Sequence, residues 1–239
     1  MAKEHSQVPK LIFKTQASIA KDALVLIFDL EGFSRFFSQP DVHEYVTKYL
    51  NRVFAAVSIS IFGGKGFWSK NDMPPFLAPT HVKFLGDGAL YIWSFNRGEK
   101  EKKKQSILYF INRLWHIKDD FGKLVDSCSE DVPVVGLPRK IRFGIASGSV
   151  HKIYYKYSAR TEYIGYCINL ASRLQGYCRD LGFIASARID LRERDLTNHG
   201  YIKVVAKKLD GFPREVVIVD KDEFEDLPSK LSKELFDPV

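Results

Sequence analysis

Residues 81–95 read HVKFLGDGALYIWSF, two strongly apolar runs around Gly86-Asp87-Gly88. Two strand-forming runs joined by a glycine-flanked acid predict a tight β-hairpin. A second run, LVLIFD over 24–29, ends on another acid, Asp29. Continuous apolar sequence rich in branched residues predicts a buried strand over 22–30. The two features commit the chain to a β-sheet that other elements must cover.

Helical spacing supplies the cover. Val42, Tyr45, Val46, Tyr49, Leu50, Val53, Phe54 and Val57 predict a helix over 40–61, with Pro40 near its start. Ile107, Leu108, Ile111, Leu114, Trp115 and Ile117 predict another over 100–128. Residues 62–79 and 129–139, rich in glycine and proline, read as loops. IRFGIASGSVHKIYY, residues 141–155, predicts a strand with a glycine-marked irregularity. A helix over 166–181 follows, then strands near 183–189, 201–206 and 215–219. The order β-α-β-β-α-β-α-β-β predicts an α+β fold, a ferredoxin-like and mostly antiparallel sheet with helices packed on one side. With no internal repeat or linker, 22–220 reads as one domain. Residues 1–21 are then an N-terminal extension and 221–239 a polar, peripheral tail.

At 239 residues and 45% hydrophobic, the chain fits one generous domain or two small ones, with ample material for a real core. No apolar stretch approaches the roughly 20 residues of a membrane helix, so no membrane association is expected. MAKEHSQVPK lacks the apolar core of a secretion signal, and Cys128, Cys167 and Cys178 have no metal-ligand spacing. A cytoplasmic location with reduced thiols is the expectation. The net charge of +7 is scattered, and the run through Lys100, Lys102, Lys103 and Lys104 reads as a solvated helix face. Without zinc-finger, RNP-like or basic-heptad patterns, nucleic acid is not expected as a partner; a polyphosphate substrate remains compatible with the charge.

Asp29 and Asp87 carry the chemistry. In a ferredoxin-like sheet the first strand and the hairpin are neighbours, so both acids fall at one end of the sheet. Alone, either is accounted for as a turn or sheet-edge residue. Together they repel, and a hard divalent cation relieves the conflict.

Four stretches in this order extend the argument: FDLEGFS (28–34), KFLGDG (83–88), RFGIASG (142–148) and YIGYCINLASRL (163–174). They resemble the catalytic domain of the class III nucleotidyl cyclases, the adenylate and guanylate cyclases, across about residues 22–220. The resemblance implies a cyclase homology domain. It places two Mn²⁺ or Mg²⁺ ions on Asp29 and Asp87, with the backbone carbonyl of Leu30 completing one shell. Asn169 matches the asparagine that orients the ribose, and Arg173 the arginine that stabilises the transferring phosphoryl group. Four residues apart on one helix, these two share a face. Lys83 and Glu162 match the positions that read the base. The resemblance also implies a head-to-tail homodimer with shared sites, the aspartates from one chain and Asn169 and Arg173 from the other.

One departure concerns the C-terminal stretch KKLDGFPREVVIV (207–219), where Asp210 stands at the register of a phosphate-binding lysine. Lys207 or Lys208 is the expected substitute, with Asp210 pointing away. Lys83 as donor and Glu162 as acceptor suit adenine, cytosine or uracil, so hydrogen bonding leaves the base open. FDLEGFSRFF and HVKFLGDGALYIW look most like the bacterial anti-phage pyrimidine cyclases of the Pycsar system. That likeness implies a pyrimidine triphosphate, UTP slightly ahead of CTP, and a cyclic product that acts on a separate effector protein without direct contact. Phe36, Phe37, Tyr45, Tyr49 and Tyr91 are candidates to narrow such a base pocket. An adenylate cyclase and a catalytically inactive nucleotide-binding or dimerisation module are the competing readings.

Overall fold

The computed structural model describes residues 13–14, 18–63, 76–96, 98–155 and 161–239. In chain order the elements are β1 (Phe13–Lys14), β2 (Lys21–Leu30), α1 (Phe33–Phe37), α2 (Val46–Phe62), β3 (His81–Phe84), β4 (Ala89–Phe95), α3 (Glu99–Lys102), α4 (Lys104–Cys128), β5 (Ile141–Tyr155), β6 (Thr161–Ile164) and α5 (Tyr166–Tyr177). There follow β7 (Phe183–Ser186), α6 (Glu193–Asn198), β8 (Tyr201–Leu209), β9 (Phe212–Asp220), α7 (Lys221–Glu225), α8 (Ser229–Leu235) and β10 (Phe236–Pro238).

The sheet runs β10-β8-β9-β7-β5-β2-β4-β3, antiparallel except where β5 meets β7. The α+β fold and mostly antiparallel sheet therefore match the sequence reading. The placement of the helices does not: they cover both faces. Leu24, Leu26, Phe28 and Leu30 of β2 join one core with α2 and α4. Ala23, Val25 and Ile27 join a second core with Leu170, Ala171 and Leu174 of α5. This is why β2 reads as a continuous apolar run rather than an alternating one. Gly144 marks how closely the second layer lies: a Cβ there would fall 2.0 Å from the Ala171 carbonyl oxygen. Helix α5 therefore rests directly on the backbone of β5.

Several boundaries differ from expectation. Residues 40–44 form a 3₁₀ turn ahead of α2. Helix α5 stops at Tyr177, short of 181, and β6, absent from the sequence reading, pairs with the distal half of β5. The loop expected over 62–79 lies largely outside the described residues. Residues 221–239 are no loose tail. They form α7, α8 and β10, pair with β8 and bury Leu227 and Phe236. No helix among the described residues is long and apolar enough to cross a membrane.

Candidate active site

Alternation along β2 puts Asp29 on the α5 face, in line with Ala23, Val25 and Ile27. Its cross-strand partner on β5 is Arg142, so the two side chains meet on that face. Arg142 donates to Asp29 Oδ2 at 2.7 Å, and Gln175 of α5 donates to the same oxygen at 3.0 Å. Asp87 sits in the turn between β3 and β4, closed by Leu85 N–H donating to the Gly88 carbonyl at 2.9 Å. A Cβ on Gly88 would lie 1.8 Å from the Phe28 carbonyl oxygen. Only glycine lets the turn approach β2 and bring Asp87 against Asp29.

The closeness shows in the acidity of Asp87. Burial, then the hydrogen bond and negative charge of Asp29, push its carboxyl up to about 6, with Arg142 opposing. Two carboxylates in this state suit a divalent cation, which removes the repulsion, and their hard oxygens fit Mg²⁺ or Mn²⁺. No group of three or more His, Cys, Asp or Glu gathers around a metal position among the described residues. A cation here would depend on the two aspartates together with backbone, water or substrate oxygens. Leu30 buries its side chain in the opposite core, leaving only its backbone for the site.

Asn169 and Arg173 lie elsewhere. Ala171 and Gln175 face β5, as their contacts with a Cβ on Gly144 show, whereas Asn169 and Arg173 are exposed. At about 100° per residue, the side of α5 carrying Asn169 and Arg173 is turned well away from the side whose Gln175 holds Asp29. Arg173 instead pairs with Asp210 at 3.0 Å across the tip of the β8–β9 hairpin. The expectation that Asp210 points away is thus corrected: the short hairpin turn seats its carboxylate on the guanidinium.

Lys207 and Lys208 separate in the same hairpin. The Lys207 ammonium donates to the Lys233 carbonyl and pairs with Asp237 at 2.9 Å. In this structure the C-terminal segment holds it. Lys208 is exposed, has φ +54°, and makes no ion pair among the described residues. A third cluster lies where the distal half of β5 carries β6 towards β3. There Lys83 and Glu162 form an ion pair of 3.0 Å, beside His81.

The aromatic residues suggested for base selection belong mainly to the core. Phe36, Tyr49 and Tyr91 are buried, and Tyr45 packs against them. Phe37 is partly exposed but stacks on Phe33 and abuts His43. Arg142, Gln175 and His81 went unassigned in the sequence. Arg142 opens RFGIASG and Gln175 follows SRL, so strand pairing and helical phase would have found them only with the register in hand.

No protein-family profile matches the sequence, and no curated protein matches it. Solved structures do. The adenylyl cyclase CyaB from P. aeruginosa aligns with 21% identity over 85% of this chain and 96% of that one, with a TM-score of 0.58. A bacterial light-regulated adenylyl cyclase aligns at 17% identity, 85% and 92% coverage and a TM-score of 0.53. The guanylyl cyclase Cya2 aligns at 18% identity, 86% and 93% coverage and the same TM-score. The chain has the fold of these cyclases over most of its length.

Proposed function

We propose that a chain with this fold and these side chains is a metal-dependent nucleotidyl cyclase. It would convert a nucleoside triphosphate to the 3′,5′-cyclic nucleotide and pyrophosphate. The observation that carries this reading is the bringing together of the Asp29 and Asp87 carboxyls at the end of β2, near enough for Asp29 to raise the Asp87 pKa, across a turn that only glycine permits. The cyclase fold supports it. Fold alone does not assign chemistry, so the weight rests on the residues.

Asp29, Asp87 and the Leu30 backbone are the groups that would hold two divalent ions. Such ions, when bound, lower the pKa of a ribose hydroxyl and offset triphosphate charge. Arg142 and Gln175 fix the Asp29 carboxylate by donating to it. Asn169 orients the ribose. The 3′-oxygen attacks the α-phosphorus, the bond to the bridging oxygen breaks, and pyrophosphate leaves. Arg173 meets the charge gathering on the phosphoryl oxygens with a planar, permanently charged donor set. Lys208, rather than Lys207, supplies further charge to the polyphosphate.

Asn169 and Arg173 are exposed on α5, away from their own chain's aspartates. This favours a site completed by a second copy, hence a head-to-tail homodimer with two equivalent sites. The ion pair of Lys83 and Glu162 reads the base. ATP is the first reading: Lys83 donates to the adenine ring nitrogen and Glu162 accepts from its amino group, and two of the similar folds are adenylyl cyclases. A pyrimidine triphosphate, with a cyclic product acting on a separate effector, is the second. It rests on the resemblance of FDLEGFSRFF and HVKFLGDGALYIW to the anti-phage enzymes, since the aromatics offered in its support are largely core.

The test is to incubate the purified protein with Mn²⁺ and each of ATP, GTP, CTP and UTP, and identify products by mass. Cyclic AMP as the main product supports the first reading and cyclic UMP or CMP the second. No cyclic product from any of the four would leave an inactive nucleotide-binding module and overturn the proposal.

A further inference from the structure

The Lys83–Glu162 pair has a third neighbour. His81 lies two residues before Lys83 on β3, so both side chains stand on the same face of the sheet, opposite Ile92 and Leu90 of β4. Glu162 presents one oxygen to each: Oε1 is 3.0 Å from the Lys83 ammonium, and Oε2 is 3.8 Å from His81 Nε2. The first is a direct ion pair. The second is too long for a hydrogen bond.

His81 is the better fixed of the two. Its side chain is 15% exposed against 45% for Lys83, and its ring packs on Tyr163 with centroids 5.2 Å apart. Tyr163 also lines a cavity of about 410 Å³, shared with Thr80, Ser94 and Lys152. Yet Nε2 is buried with no hydrogen-bond partner among the described residues. A buried polar nitrogen left unpaired costs of the order of 1–3 kcal/mol, and buried polar groups in folded proteins are seldom left so. Burial, together with the charges of Lys83 and Lys152, lowers the His81 pKa against the opposing pull of Glu162. The imidazole therefore favours its neutral form, in which one ring nitrogen is an acceptor.

Building on the cyclase reading, we infer that His81 is a third base-contacting residue. Its Nε2 accepts one proton of an exocyclic amino group while Glu162 accepts the other. Lys83, the more exposed partner, moves from Glu162 to the adjacent ring nitrogen. Two acceptors for two amino protons define the ligand class: a base whose Watson–Crick edge carries an amino group beside a ring acceptor, adenine or cytosine. A carbonyl at that position leaves both acceptors facing a lone pair, so uracil and hypoxanthine are disfavoured.

The test compares matched bases that differ in the amino group, ATP with ITP and CTP with UTP. Both kcat/KM with Mn²⁺ and equilibrium binding of non-cyclisable analogues are measured. His81→Phe keeps a ring against Tyr163 but removes both nitrogens. It should reduce the amino-over-carbonyl preference about 10-fold in the better-used pair, mainly through KM. His81→Gln, which keeps an acceptor, should retain much of the preference. An unchanged preference in His81→Phe, or a wild-type protein with no preference for the amino base in either pair, would overturn the inference. If His81→Phe fails to fold, His81→Leu, which also removes both ring nitrogens, takes its place, and an unchanged preference in that variant would equally contradict the inference. A protein that cyclises nothing but binds the amino bases selectively, and loses that selectivity in His81→Phe, would refute the cyclase reading and leave this inference standing.

Discussion

Asp210 and Arg173 lie 3.0 Å apart within one chain, joining the tip of the β8–β9 hairpin to the outer face of α5. Both side chains are largely exposed, and ion pairs of this kind contribute about 0–1 kcal/mol to stability. The consequence falls on the site instead: a carboxylate sits on the guanidinium proposed to meet the transferring phosphoryl group. Asp210→Asn should leave the melting temperature within about 2 °C and lower KM for the nucleotide roughly 2–5-fold, as one negative charge leaves the triphosphate's surroundings. Steady-state kinetics beside a thermal melt check both halves. A raised KM would mean that Asp210 serves to aim Arg173.

Lys207 and Lys208 should part company on mutation. Lys207→Ala removes the ties to Asp237 and the Lys233 carbonyl, and should loosen the C-terminal segment with little change in KM. Lys208→Ala should raise KM about 10-fold, the scale of a lost charged hydrogen bond, without lowering the melting temperature. Kinetics and melts on the two variants decide the matter.

Asp87 gives the metal-free fold a pH signature. Its folded pKa of about 6 stands above the ordinary value of 3.8. The stability that this protonated carboxyl contributes is fully present below pH 3.8 and is lost as pH rises through 6. Asp87→Asn has no such dependence. In chelator, the variant's melting temperature should therefore gain on the wild type between pH 4 and pH 7. Adding Mn²⁺ at pH 7.5 should raise the wild-type melt and leave Asp87→Asn almost unmoved. Parallel pH slopes for the two proteins would contradict the contact between the carboxyl groups.

Gly88→Ala should be severe. The added methyl would fall 1.8 Å from the Phe28 carbonyl oxygen, so the turn must move off β2. A cost of about 3 kcal/mol or more is expected, a fall of roughly 6–12 °C for a domain of this size, together with loss of Mn²⁺ binding. A melt and a metal titration test it; a well-folded variant that still binds Mn²⁺ would show that the close approach is dispensable.

The two strands that carry the site were legible because their patterns are strong. The apolar run to Asp29 and the glycine-flanked turn at Asp87 specify a covered strand and a hairpin almost without context. The pairing of Arg142 with Asp29 was not legible, since it depends on the β2–β5 register, a contact between positions 113 apart. The second helical layer was missed although the continuous apolar run of β2 called for cover on both faces; which helix supplies it depends on the fold of α5 back onto β5. Residues 221–239 looked peripheral because their composition is polar. Their attachment rests on backbone pairing of β10 with β8 and on two apolar anchors, Leu227 and Phe236. Lys207 seemed available for substrate for the same reason, its partners being supplied by that segment.

The central claim is cyclisation at a site whose aspartates and arginine come from different chains. Asp29→Ala and Arg173→Ala, each purified and each expected to make no cyclic nucleotide alone, should regain activity when mixed, because a mixed dimer keeps one of its two sites intact. The measurement is cyclic product by mass against mixing ratio, with mixed dimers verified by differential tagging. At equal concentrations about a quarter of wild-type activity is expected, since half of the dimers are mixed and each carries one intact site. Mixed dimers that form but make no cyclic nucleotide would contradict the account.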